Sequence, residues 1–189
     1  MLLPEPQREG KIFLEEAIRK RKSRRRFSVR SLTAAQLSQL IWAAKKIPSA
    51  GALYPLELYA VIGKDCVEGA DAGVYRCEIG RITLHKPGDL RLELASACLH
   101  QMFIAEAPVS FVIAAEYERT TRRYGERGIR YVLMEVGHAG QNIYLQCEAL
   151  GLGTVAIGAF YDDEVSSVLN LPKMHRPLYV MPVGYAREL

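Results

Sequence analysis

Pro48-Ser-Ala-Gly-Ala-Leu-Tyr-Pro55 lies between a stretch with helical periodicity and the apolar run Leu56 to Ile62. The side chains of Ser49, Ala50, Gly51 and Ala52 are small enough to let a flat ligand rest against bare backbone. Pro48 and Pro55 stiffen the two ends of the loop and remove two backbone donors. Upstream lies Arg19-Lys-Arg-Lys-Ser-Arg-Arg-Arg26, in which seven of eight residues are basic and none is acidic. A platform of small residues and a basic cradle together suit a planar aromatic ligand that carries phosphate.

Working outward from this loop, residues 12 to 22 carry Ile12, Leu14, Ala17 and Ile18 near helical spacing. Thr33 and Gln36 match a capping box that opens a second helix, with Leu37, Leu40, Ile41 and Ala44 on its apolar face and Pro48 as its stop. Leu56 to Ile62 and Val109 to Ala115 read as buried strands, and Val74–Cys77 with Arg81–Leu84 as a hairpin turning at Glu78-Ile-Gly80. Asp89 to Ala105 and Tyr131 to Leu150 read as helices, the latter ended by Gly151-Leu-Gly153. Thr154 to Ile157 then reads as a short strand, Asp162 to Leu169 as a helix, and Pro177 to Val183 as a last strand. Irregular alternation with a hairpin predicts an α+β fold, a mixed central sheet covered by helices. No linker divides residues 1–189, so one domain is expected.

Composition narrows the class. With 49% apolar and 24% charged residues the chain is ordinary for a globular protein. No run reaches the ~18 apolar residues of a membrane helix, and the first residues lack the order of a signal peptide. The expectation is a cytoplasmic protein that does not engage membranes. The net charge of +4 owes much to residues 19 to 26, a local patch. No groove-reading helix or stacking aromatics accompany that patch, which argues against nucleic acid. Cys66, Cys77, Cys98 and Cys147 form no Cys-x-x-Cys pair and read as small buried hydrophobes; Cys98-Leu-His100 lacks two of the usual four zinc ligands, so no metal is expected.

Three blocks resemble the FMN-dependent nitroreductase family, closest to its azoline-oxidising (thiazole-forming) peptide dehydrogenases. They are Arg21-Lys-Ser-Arg-Arg-Arg-Phe27, then Pro48 to Glu57, then Tyr124-Gly-Glu-Arg-Gly-Ile-Arg-Tyr131 running through Glu135–Asn142 to Gly151–Phe160. The resemblance implies a three-layer α+β fold that dimerises, with FMN at the subunit interface. It assigns Arg21, Lys22, Ser23 and Arg25 to the flavin phosphate, where guanidinium groups pair phosphate oxygens two at a time. It places Pro48, Ser49, Ala50 and Gly51 beside the flavin ring, contributed by the opposite subunit. Gly158 and Ala159 match the position of backbone donors near the ring, and Arg187 that of a further phosphate contact.

Each assignment has a plainer counterpart: a solvated basic turn for the first block, a helix-to-strand loop for the second, and a tight strand end for Gly158 and Ala159. His138 and Asn142 share a helix face, and a satisfied polar pair is the reading the spacing favours over a ligand contact. Gly137 and Gly140 would let another backbone approach the long helix, which suits a subunit interface. Arg123 and Tyr124 match the catalytic Lys-Tyr of the azoline-oxidising branch, with Arg in place of Lys. A desolvated lysine gives up its proton, whereas an arginine keeps its own, so no general base stands there.

The resulting expectation is a homodimeric FMN oxidoreductase that accepts hydride from NAD(P)H and reduces a small oxidised organic acceptor. No Gly-x-Gly-x-x-Gly fingerprint appears, so the nicotinamide dinucleotide would visit the flavin face transiently. The alternatives are a dehydrogenase of azoline-containing peptides and a flavin- or nucleic-acid-binding protein without turnover.

Overall fold

The computed structural model describes residues 1–187. Two helices, α1 (Leu14–Lys20) and α2 (Ala34–Lys45), precede a single 3-10 turn at Ala50–Ala52. Three strands follow, β1 (Leu56–Ile62), β2 (Gly73–Glu78) and β3 (Arg81–Pro87), then α3 (Arg91–Ala97) and α4 (Phe103–Glu106). The rest of the described chain is β4 (Val109–Ala115), α5 (Glu118–Tyr124), α6 (Arg127–Ala149), β5 (Gly153–Thr154), α7 (Asp162–Leu169) and β6 (Arg176–Gly184). The strands form one sheet in the order β3-β2-β1-β4-β6-β5.

Side-chain alternation along β1 and β4 builds three layers. Leu58, Ala60 and Ile62 of β1 join Phe111 and Ile113 of β4 in a core with Leu37, Leu40 and Ile41 of α2 and Val136 and Ile143 of α6. The intervening Tyr59, Val61, Val112 and Ala114 point the other way, against Leu94 of α3, Ile104 of α4 and Val165 and Leu169 of α7. Both sheet faces are therefore covered, and every residue of β4 is buried, which is why that strand is almost continuously apolar.

The α+β class and the helical layers agree with the sequence reading, but the sheet is not mixed. Every pairing between named strands is antiparallel. Among the described residues, parallel contacts occur only as the isolated bridges Ser23–Thr154 and Leu32–Val67. The order of helices and strands along a chain does not fix strand direction, and the alternation carried no information on it.

Local chemistry explains the element ends. The expected capping box is present: the Gln36 amide donates to Thr33 Oγ1 at 3.1 Å and the Thr33 amide to Gln36 Oε1 at 3.0 Å. The helix expected over Asp89 to Ala105 is broken, because Leu99 and His100 take left-handed backbone at φ 56°. The Gln101 side chain closes the break by donating to the Cys98 and Ala159 carbonyls. The strand expected over Thr154 to Ile157 shortens to Gly153–Thr154, with Ile157 rejoining the sheet through a bridge to Val180. Between them Ala156 turns its amide onto the Tyr144 hydroxyl at 2.8 Å. All four cysteines are free and buried, as their apolar reading required.

Beneath β1, the Tyr59 hydroxyl meets His175 Nδ1 at 2.7 Å. Burial lowers the His175 pKa from 6.5 and pushes Tyr59 up to about 12. Above pH 6.5 the imidazole is neutral in both the folded and the unfolded chain. Below it the unfolded chain takes a proton that the folded one resists, so stability falls as pH drops from 6.5 toward the lowered folded value. Thermal unfolding between about pH 5 and 8 should show this slope, and His175→Gln should remove it while leaving the steeper carboxylate-driven loss at lower pH.

Candidate functional site

The sequence-predicted residues fall into two groups, one on each flank of α6. The first is the basic segment. It runs extended along the sheet edge: the Arg24 amide donates to the Thr154 carbonyl, Ser28 to Tyr185 and Arg187 to Arg26. Extended backbone sends alternate side chains to opposite sides. Arg21 and Ser23 accordingly share one side, where the Arg21 guanidinium lies 5.2 Å from the centre of the Tyr144 ring and Ser23 Oγ pairs with its hydroxyl at 2.9 Å. Arg24 turns to the other side and reaches Glu148 at 3.4 Å. Lys22 and Arg25 are exposed, as is Arg187, which the backbone pairing sets beside Arg26. Gly158 and Ala159 are exposed on the loop after Ile157, and their amides make no hydrogen bond within the described chain.

The second group surrounds the loop between the prolines. Pro48 is exposed, and the Tyr54 amide folds back onto Ser49 Oγ at 2.9 Å. Ala50 donates its amide to Glu135 Oε1 at 2.9 Å, which pins the loop to α6. Gly51 adopts φ 61°, and a Cβ there would sit 2.7 Å from the Tyr124 hydroxyl and 3.0 Å from an Arg123 guanidinium nitrogen. Glycine is favoured twice over: a side chain would strain the backbone at this φ and push the tips of Tyr124 and Arg123 aside. The loop thus brings together, within one chain, the small-residue platform and the Arg123–Tyr124 pair. Tyr124 is set by an edge-on contact with Tyr131 at 5.3 Å, and the Arg123 guanidinium lies 5.4 Å from the Tyr124 ring centre.

The two groups do not meet in one chain. Tyr144 lies nine residues after Glu135 on α6. At 1.5 Å and 100° per residue that is about 13 Å along the axis and about half a turn around it. The buried stripe of α6 (Val132, Val136, Ala139, Ile143) runs between them.

Asn142 plays the plainer role its spacing favoured, donating to the Ala43 and Lys46 carbonyls at 3.0 Å, while His138 is exposed. Gly140 is not open to another subunit; the Tyr179 ring of β6 fills its surroundings at 3.3 Å. Gly137 is open, with nothing within 4 Å of where its Cβ would stand, and Leu133 and Met134 beside it are about half exposed, at 51% and 53%.

Four positions of the candidate site escaped the sequence reading. Tyr144 organises the basic segment, and no spacing rule marks it. Glu135 had a legible signal, a carboxylate set in the apolar stripe between Val132 and Val136. Glu57 and Arg119 form the charged floor beside the loop: Arg119 Nη2 meets Glu57 Oε1 at 2.6 Å, and Arg76 meets Oε2 at 2.9 Å. Burial raises the Glu57 pKa, but Arg119, Lys45 and Arg76 outweigh it and hold the carboxyl below its ordinary value.

Comparison with known proteins turns on this arrangement of basic segment, small-residue loop and long helix. The Nitroreductase family profile matches residues 18–185, which includes every one of these elements except the start of α1 and the last basic residue. The chain belongs to the nitroreductase family. It is 49% identical over 187 residues to a Methanocaldococcus jannaschii protein bearing a nitroreductase name, covering 92% of this chain and 91% of that one. It is 31% identical over 133 residues to the trifolitoxin-processing protein of Rhizobium leguminosarum bv. trifolii, covering 67% of this chain but 35% of the relative. That match agrees with the peptide-modifying branch that the motifs resemble. Among solved structures, a nitroreductase-family protein of Ralstonia eutropha superposes with TM-score 0.86 at 26% identity, covering 100% of this chain and 90% of that one. The NADPH:FMN oxidoreductase of Vibrio harveyi, solved with NAD+, shares the fold at TM-score 0.71 and 21% identity, covering 93% and 69%. The nitroreductase fold and an oxidoreductase class follow. No helix among the described residues is long and apolar enough to cross a membrane.

Proposed function

We propose that this protein is a homodimeric FMN-dependent oxidoreductase that takes hydride from NAD(P)H and delivers electrons to a small oxidised organic acceptor. The observation that carries the reading is the division of the site across α6. Arg21 and Ser23 lie against Tyr144 on one flank of that helix, and the Ser49–Gly51 loop is pinned by Glu135 on the other; the first, with Arg25 and Arg187, would serve as the phosphate-binding half and the second as the ring-binding half. A second copy docked along α6 would set the phosphate half of one chain beside the ring half of the other. The open surroundings of Gly137 and the exposed Leu133 and Met134 support such docking.

The donor set fits the cofactor. Cationic side chains and a hydroxyl gather at one half, and the other offers bare backbone with a tyrosine and an arginine at its edge. The amides of Gly158 and Ala159 have no acceptor within the described chain and suit the polar rim of a flavin. The two-electron chemistry belongs to the bound FMN; the protein binds, orients and excludes water. Arg123 holds a fixed positive charge beside Gly51, where it would favour an electron-rich partner over the ring.

Removing Arg21 should leave a flavin phosphate partly unpaired. Arg21→Ala is expected to weaken FMN binding by about thirtyfold, an equivalent of about 2 kcal/mol, in a fluorescence titration. Stopped-flow reduction under anaerobic conditions tests the activity itself. NADH or NADPH should bleach the bound flavin, whereas a thiazoline peptide should not. Proton abstraction from an azoline ring needs a base, and Arg123 with a lone phenol supplies a poor one. Arg123→Lys should leave nicotinamide oxidation broadly intact. Bleaching by the peptide with no response to either nicotinamide would make azoline oxidation the better reading.

A further inference from the structure

A cavity of about 420 Å³ opens beside the small-residue loop, between the end of α2, the start of β1, the β2–β3 hairpin, α5 and Glu135 of α6. Its size falls within the range of small-molecule sites. Ala44, Ile47 and Leu56 give it an apolar wall, and Lys45, Glu57 and Glu135 supply the charges that discriminate.

Glu135 is the decisive residue. It is 3% exposed, its Oε1 accepts the Ala50 amide, and its Oε2 is buried with no partner at all. A buried carboxylate oxygen without a donor is costly, and Glu135 lines the cavity from which a ligand could supply one. The other buried carboxylate on the wall is already paired with two guanidinium groups. Glu57 Oε2 already accepts two N–H groups from Arg76, and its Oε1 accepts Arg119. A cationic ligand group would therefore seat on Glu135.

A simple cation does not suit the rest of the wall, where Lys45, Arg76 and Arg119 would repel it. Lys45 is the wall cation that makes no ion pair among the described residues: its Nζ reaches the Leu56 carbonyl at 3.5 Å, whereas Arg76 and Arg119 are both paired with Glu57. Burial lowers its pKa, with the Glu57 carboxylate opposing. An anionic ligand group beside it would relieve that burial. The ligand must then carry both signs of charge on a compact apolar body. We propose that this cavity binds a free α-amino acid with an apolar side chain, its ammonium group on Glu135 and its carboxylate on Lys45.

The site does not depend on flavin chemistry, and its test does not read turnover. Isothermal calorimetry of the purified protein, with whatever cofactor it carries, would titrate L-leucine and L-phenylalanine against their N-acetyl and carboxamide derivatives. Saturable one-site binding of a free amino acid is expected, weakened at least about tenfold by blocking either end, since each loses a charge-assisted contact. Lys45→Met should bind the free acid and the carboxamide equally. Glu135→Gln also disturbs the Ala50 contact, so the ligand series on the unaltered chain carries the ammonium half of the test. No saturable binding of either amino acid, or equal affinity for the N-acetyl or carboxamide form, overturns the assignment.

Discussion

Gly51→Val is expected to cut NAD(P)H turnover by about a hundredfold, the scale at which misplacing a reacting group by about 1 Å is felt. Two effects combine. The φ of 61° at this position costs a side-chain-bearing residue about 1–2 kcal/mol, and a branched residue is the worst case. The new Cβ would also stand 2.7 Å from the Tyr124 hydroxyl and 3.0 Å from Arg123, so the pair must swing away or the loop must lift from Glu135. Gly80→Asn separates the two effects. Gly80 lies in the β2–β3 turn at φ 81° with nothing within 4 Å, so the substitution pays only conformation. Turnover in Gly80→Asn should be unchanged, with a small fall in Tm. Wild-type turnover in a folded Gly51→Val, measured as steady-state nicotinamide oxidation, would detach the loop from the chemistry.

The contrast between these two glycines also marks what the sequence could tell. Gly80 was legible as a turn because it stands between two short alternating runs, a local pattern. Gly51 was legible as permissive, yet its pressing neighbours, Arg123 and Tyr124, are distant in sequence and come from α5. That helix was missed altogether. Glu118-Arg-Thr-Thr-Arg-Arg-Tyr124 is polar on every side and shows no 3.6-residue period. It holds its place through Gly128, where a Cβ would meet the Thr121 backbone at 3.0 Å, a close approach that no periodicity announces. The strands β1 and β4 were read to the residue because burial on both faces leaves a continuous apolar run. Their direction was not, since hydrogen-bond partners are chosen by the tertiary arrangement. In the basic segment, the family motif picked out Arg21, Ser23 and Arg25, and the extended backbone explains why the intervening Arg24 is the one that pairs inward with Glu148. Tyr144, the centre of that half-site, carries no mark in the sequence because its role depends on a strand that stops three residues early, at Thr154 instead of Ile157.

Gly137→Glu offers a prediction whose sign depends on assembly, and it rests on the proposed docking along α6. Glycine in a helix interior is destabilising by roughly 1 kcal/mol, and glutamate is a good helix former. In an isolated chain the substitution meets open space and should raise Tm. In a dimer packed on this face it would bury two like charges opposite one another with no partner, a cost of several kcal/mol. Obligate interfaces that bury on the order of 2,000 Å² or more rarely absorb such a charge at their centre. Sedimentation should therefore find wild-type protein as a yellow dimer at micromolar concentration, and Gly137→Glu as a colourless monomer. Flavin loss is the telling part. If each site draws its phosphate contacts from one chain and its ring contacts from the other, the separated chain keeps Arg21 and Ser23 intact and still cannot hold the ring. A stable, flavin-loaded monomer of either protein would place both halves within a single chain, against the half-turn of α6 that divides Glu135 from Tyr144.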